Sequence, residues 1–164
     1  EVAHYAATAV AQISKESDLK LQQLERAFKT DPSAQNLNEY CDFLGEYLGS
    51  GLAEGRVAQI QRQQYARLLA RRCEREDTLE LRIRYATALV DVGQIDEAQA
   101  VIDQLVLDVP EEQEVWMLCL RLAVMRRDGD EVHRVIDAID KQHVYLSAAN
   151  REELAFWRNG EEAR

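Results

Sequence analysis

Three histidines and three cysteines are the side chains here best suited to nucleophilic or metal chemistry, and their spacing supports neither. His4, His133 and His143 are too few and too scattered for a catalytic triad or a zinc site. His133 and Asp137 stand at i, i+4, an ordinary surface pairing on a helix. Cys41, Cys73 and Cys119 are isolated and odd in number, so they make neither a disulfide framework nor a C-x-x-C metal site. They read as small core residues in a reducing compartment. Acidic pairs at Asp96-Glu97 and Asp130-Glu131 suggest general acid–base carboxylates. Both pairs open a helical segment, however, where negative charge complements the helix dipole. No glycine-rich phosphate loop or nucleophile elbow is present. The residues predict no enzyme activity, no cofactor and no metal.

Charge narrows the partner class. The chain has 164 residues and a net charge of −10, which argues against a nucleic acid as partner. Residues 1–50 carry 4 basic and 8 acidic side chains, residues 51–78 carry 6 and 4, and residues 79–164 carry 10 and 18. The basic excess in the middle is concentrated on one predicted helix. There Arg56, Arg67 and Arg71 fall near one face, with Arg72 and Arg75 beside them. Such a stripe is either a solvated helix face or a docking strip for an acidic partner or anionic lipid. No window approaches the ~20 apolar residues of a membrane span.

The elements that would carry these residues are all helical. Hydrophobic residues make up 46% and charged residues 30%, with only two prolines, a composition suited to helical packing. Residues 2–13 form an alanine-rich helix, and Ser17 or Asp18 is placed to cap a second, with Leu19, Leu21, Leu24, Ala27 and Phe28 as its core stripe. Asp31-Pro32 ends it and starts the next, in which Leu37, Tyr40, Cys41, Leu44 and Leu48 recur at helical spacing up to Gly49-Ser50-Gly51. A long helix is expected from about Ala53 to Arg75, with Ile60, Tyr65, Ala66, Leu69, Ala70 and Cys73 on or near its buried side. Asp77 or Thr78 caps the following helix, Glu80 being spaced for a capping box from Asp77. Later boundaries fall at Gly93, at Pro110, at Asp128-Gly129 and at Ser147, which caps a terminal helix carrying Leu154, Phe156 and Trp157.

One block organises the second half. Residues 96–105, DEAQAVIDQL, return as residues 130–139, DEVHRVIDAI, with five of ten positions identical at an offset of 34. A helix–turn–helix recurring at this period resembles the tetratricopeptide repeat. In the unit 79–112 the small residues of that pattern fall at Ala86 and Ala98, the bulky ones at Tyr85, Leu89 and Ile102, and the proline at Pro110. Leu105 fills a slot usually given to alanine. Arg82 departs from the pattern at a position often held by tryptophan, which returns one period later as Trp116. The resemblance implies an all-α α-solenoid of antiparallel helix pairs, about nine helices in a single domain 1–164. Its parts are a degenerate repeat 1–34, an irregular extended repeat 35–78, repeats 79–112 and 113–146, and a capping helix 147–158.

The resemblance also implies a function. In this family the first helix of each pair lines a concave groove that binds protein partners. The matching positions are Glu39, Phe43, Glu46 and Tyr47 in the irregular unit, then Glu80, Ile83, Thr87 and Asp91, then Met117, Arg121, Val124 and Met125. Several are apolar where a solvated face would be polar. The expected role is a non-catalytic scaffold for protein partners; the alternative is a solenoid that senses a peptide or small ligand and regulates an attached module. More narrowly, EYLGSGLAEG ahead of the arginine-rich helix and the closing LAFWR resemble the cytoplasmic repeat region of the PelE family, inner-membrane components of bacterial Pel exopolysaccharide assembly. That likeness implies a cytoplasmic domain docking other members of a membrane-associated complex, reaching the membrane only through a segment upstream of Glu1.

Overall fold

The computed structural model describes residues 2–161, and side chains from 11 to 159. Among the described residues there are eight α-helices and no strand: α1 (Val2–Thr30), α2 (Ala34–Gly49), α3 (Gly55–Cys73), α4 (Leu79–Asp91), α5 (Ile95–Asp108), α6 (Gln113–Arg126), α7 (Gly129–Lys141) and α8 (Ala148–Glu161). They pack in adjacent pairs, a fold like that of a tetratricopeptide α-solenoid. The chain forms two compact units, 1–76 and 77–164.

The first unit corrects the helix count. Residues 2–30 form one continuous helix rather than two, which is why eight helices stand in place of about nine. Ser17 and Asp18 can cap a helix only if the chain is broken before them, and no glycine or proline precedes Pro32. Within α1, Leu21 and Phe28 are buried, while Leu19 and Ala27 are exposed. The next helix begins after Pro32, with the Ser33 hydroxyl accepting from the Asn36 amide at 3.3 Å. α2 packs against both α1 and α3. Gly45 permits the second contact, since a Cβ there would meet the Tyr65 hydroxyl at 2.8 Å. The expected extra length is shared: α3 has 19 residues against 14 in α5, and α2 has 16 against 13 in α4. Ile60 is not on the buried side of α3 but 58% exposed; Ala66 and Leu69 are buried as expected, together with Ala58 and Leu68.

The second unit keeps the period. α4 and α6 begin at Leu79 and Gln113, α5 and α7 at Ile95 and Gly129, each pair 34 residues apart. Thr78 caps α4, accepting from the Leu81 amide at 3.3 Å, so the third helical position is Leu81 and the capping box from Asp77 to Glu80 does not form. Gly93 takes the left-handed conformation that closes α4 (φ 75°), and one period on Arg127 does the same after α6 (φ 56°). The turn expected at Asp128-Gly129 is thus made from Arg127, one residue earlier, and Asp128 caps α7 by accepting from the Glu131 amide at 3.0 Å. Pro110 lies in a turn ahead of α6, not in its first helical turn. Its carbonyl accepts from the Trp116 indole at 2.7 Å. At the equivalent position Arg82 reaches instead to Asp108 at 2.7 Å, bridging α4 to the end of α5. That bond, with one from Gln104, holds the Asp108 carboxyl below its ordinary range.

Two apolar clusters fill this unit. Ala86, Leu89, Ala98, Ile102, Leu105 and Val115 join α4, α5 and α6. Trp116, Leu120, Val132, Ile136, Ile139 and Leu154 join α6, α7 and α8. The repeated VID block explains the likeness of the two: Ile102 and Ile136, one period apart, occupy equivalent buried positions. Ser147 caps α8, accepting from the Asn150 amide at 3.3 Å.

Candidate functional site

The expected groove residues separate into three environments. In the first unit Tyr47 turns inward and is only 6% exposed, its hydroxyl donating to Asp18 at 2.5 Å. Phe43 is half-buried beneath Lys20, whose Nζ lies 4.4 Å from the ring centroid. Both side chains therefore meet α1, and Tyr47 is largely buried there. The sequence pattern could not show this, because α1 was expected to break where its Asp18 and Lys20 now stand. Glu39 and Glu46 are exposed on the same helix.

The hydrogen bond has a measurable consequence. Acceptance by Asp18, then burial, pushes the Tyr47 phenol up to about 12. A folded-state value above the unfolded one near 10 means that this stability is complete below pH ~10 and is lost as pH rises toward 12. Tyr47→Phe should lower stability by about 1 kcal/mol at neutral pH and flatten the alkaline limb of the stability profile. Chemical denaturation between pH 7 and 11.5 measures both, and an unchanged alkaline limb would remove Tyr47 as its source.

In the second unit four of the expected residues come together. Ile83 and Thr87 of α4, with Met117 and Arg121 of α6, line one cleft of about 370 Å³ with Gln113, Glu114, Leu118, Ser147 and Asn150. α4 and α6 are the first helices of successive pairs and pack directly against each other, which sets these side chains on a shared surface. Met117 is the buried floor, 6% exposed and part of the core cluster, while Arg121 is exposed at the edge. The Thr87 hydroxyl donates back to the Ile83 carbonyl at 2.8 Å. Gln113 was not anticipated as part of this surface. Its Oε1 accepts from the Ser147 amide at 2.8 Å and from Asn150 Nδ2 at 3.1 Å, tying the start of α6 to the start of α8. The only hint in sequence was its place one period before Ser147. Glu80, Asp91 and Met125 are exposed and do not line the cleft; Val124 is half-buried and does not line it either.

Of the expected basic stripe, Arg56, Arg67, Arg71 and Arg75 are exposed and Arg72 is not. Arg72 is buried, its Nη1 2.6 Å from Asp42 Oδ1 on α2. Burial pulls its guanidinium down, but the bonds and charge of Asp42 and Cys41 together outweigh that and leave it raised. Arg71 lies over the Phe28 ring at 5.8 Å from the centroid. Arg75 falls beyond the last residue of α3. Arg56, Arg67 and Arg71 are exposed on the helix, Arg67 and Arg71 one turn apart and Arg56 roughly 16 Å of helix before Arg67. A long amphipathic stem lets arginine reach a neighbouring helix, so helical spacing alone overestimates a charged face.

Among the described residues no group of three or more histidine, cysteine, aspartate or glutamate side chains could hold a metal, and no helix is long and apolar enough to cross a membrane. His4 lies outside the described side chains, and His133 Nδ1 sits 2.9 Å from the Gly129 carbonyl. Cys41 is buried and Cys73 is half-buried. Burial, reinforced by Asp103 and Glu131, pushes the Cys119 thiol up to about 12, the opposite of an activated nucleophile.

No curated protein and no solved structure matches the chain. Residues 52–122 match the family model described as tetratricopeptide repeat, a span that takes in α3, α4, α5 and most of α6. The family to which this stretch is similar, and which the 34-residue spacing of its helices supports, is thus the tetratricopeptide repeat.

Proposed function

We propose that this chain is a non-catalytic docking scaffold that receives a protein partner in the cleft between α4 and α6. Tetratricopeptide repeats mediate protein–protein interaction, and stacked helix pairs present extended surfaces suited to it. The observation that carries the reading is the convergence of Ile83, Thr87, Met117 and Arg121, from two successive first helices, on one cleft with an apolar floor and a charged edge. An apolar anchor ringed by polar groups is the usual build of an interface centre. The setting we propose is a cytoplasmic subunit-docking domain of a membrane-associated bacterial assembly for exopolysaccharide synthesis, tethered by a segment upstream of Glu1. The EYLGSGLAEG and LAFWR stretches support that setting.

Arg121→Glu and Thr87→Lys test the cleft, since both change its accessible edge and leave Met117 in place. Each should preserve helicity and melting temperature yet weaken partner capture by about thirtyfold, the loss expected when ~2 kcal/mol of interface energy is removed. Affinity capture from cells, read by mass spectrometry, compares them with the parent. If both variants retain every partner of the parent, the α4/α6 cleft is not the docking surface.

A further inference from the structure

A second cleft, independent of the one above, lies in the first unit. Two turns of α1 (Asp18, Leu21, Gln22, Glu25) form one wall, and two turns of α3 (Val57, Ile60, Gln61, Gln64) form the other. Tyr40 and Tyr47 of α2 make the floor, and Leu52, Ala53 and Glu54 close one end, enclosing about 490 Å³. Val57 and Ile60 stand one helical turn apart and are 61% and 58% exposed. Two neighbouring branched apolar side chains left to solvent beside a cleft mark an interaction surface better than scattered single residues do.

The charged lining is of one sign. Asp18, Glu25 and Glu54 are acidic, and no basic residue lines the cleft. Glu25 has Lys29 as a partner at 2.6 Å, whereas Asp18 and Glu54 make no ion pair among the described residues. Gln61 Oε1, shielded from solvent, has no hydrogen-bond partner among the described residues and is itself an acceptor. The Tyr47 hydroxyl already donates to Asp18. What the cleft lacks is therefore positive charge, together with apolar matter to cover Val57 and Ile60. Its walls run eight residues each, roughly 10 Å, which accommodates two turns of a helix.

We infer that the α1–α2–α3 cleft docks a basic amphipathic helical segment of a partner protein, with aliphatic side chains on Val57 and Ile60 and lysine or arginine toward Asp18, Glu54 and Gln61. A helix laid in a groove is read through anchors one turn apart, the spacing that Val57 and Ile60 present.

The probe is a fluorescein-labelled 14-residue helical peptide with leucine on one face and lysine on its flanks, beside the same peptide with glutamate for lysine. The full chain should bind the lysine peptide, with affinity falling as salt rises, and should not bind the glutamate peptide. Val57→Ser with Ile60→Ser should weaken binding at least tenfold. Glu25→Gln with Glu54→Gln should weaken it severalfold and flatten the salt dependence. All four sites are solvent-accessible enough for the fold to persist, which circular dichroism checks. Equal binding of both peptides, or a lysine peptide indifferent to both double variants, overturns the proposal. Two controls name the other occupants. A dimer of the parent chain dissolved by the serine variant, seen by sedimentation, would assign this face to a second copy. Binding to phosphatidylcholine vesicles lost in that variant would assign it to lipid. Either result overturns the peptide reading.

Discussion

Ala98→Arg should destabilise the second unit by roughly 3–5 kcal/mol, enough to leave it largely unfolded near its former melting temperature. Ala98 has no exposed surface and sits among Ala86, Leu89, Ile102 and Leu105, where α5 approaches α4. An arginine there must either force the helices apart or leave its guanidinium in an apolar cluster without a carboxylate. The period sharpens the comparison. One repeat later the equivalent residue is Val132, also buried, so that site holds a larger side chain at the same place in the motif. Ala98→Val should consequently cost much less than Ala98→Arg, about 1–2 kcal/mol from local overpacking alone. Thermal and urea denaturation of the three proteins decides it. An arginine variant that melts with the parent would mean that α4 and α5 are not paired as described.

Trp116→Ala should be of similar size, about 3–5 kcal/mol, for a different reason. The side chain is 6% exposed, packs in the α6–α7–α8 cluster, and ties α6 to the turn before it through the 2.7 Å bond to the Pro110 carbonyl. Alanine removes the ring, leaves a cavity, and strands that carbonyl. Phenylalanine keeps most of the volume and loses the donor, so Trp116→Phe should cost about 1 kcal/mol, the usual net worth of such a bond. The ratio of the two losses separates packing from hydrogen bonding. Equal losses would mean that the indole bond dominates and that the ring contributes little packing.

Arg82 and Trp116 show how far the linear pattern reaches. Both stand at one position of the 34-residue repeat, and both brace the first helix of a pair, yet one is an ion pair to Asp108 and the other an apolar plug. Spacing identified the position; only the neighbours specified the interaction. The same distinction runs through the candidate surface. Ile83, Thr87, Met117 and Arg121 are brought together because α4 and α6 repeat at 34 residues, so their shared cleft was legible from the block at 96–105 and 130–139. Glu80, Asp91 and Met125 were selected by the same logic, but a helix phase error of a fraction of a turn is enough to swing a side chain out of a cleft.

What the amino-acid sequence by itself determined is the part that depends on local periodicity. Apolar residues at helical spacing, turn residues at Gly93 and Asp128, and a duplicated block fix α4 to α7 almost to the residue, since each helix must bury the same stripe against the next. What tertiary structure alone decided is where long or ambiguous segments go once neighbours compete for them. Residues 2–30 remain one helix because nothing in the chain interrupts it, and that places Asp18 against Tyr47 and Lys20 over Phe43. Arg72 leaves an apparent basic face because Asp42 on α2 lies within reach of its stem, and a buried cation is tolerated only with such a partner. Ile60 looks like core in the linear pattern and is exposed, because α2 already covers the opposite side of α3. Burial is a property of what lies across from a residue, and that is not written at any fixed distance along the chain.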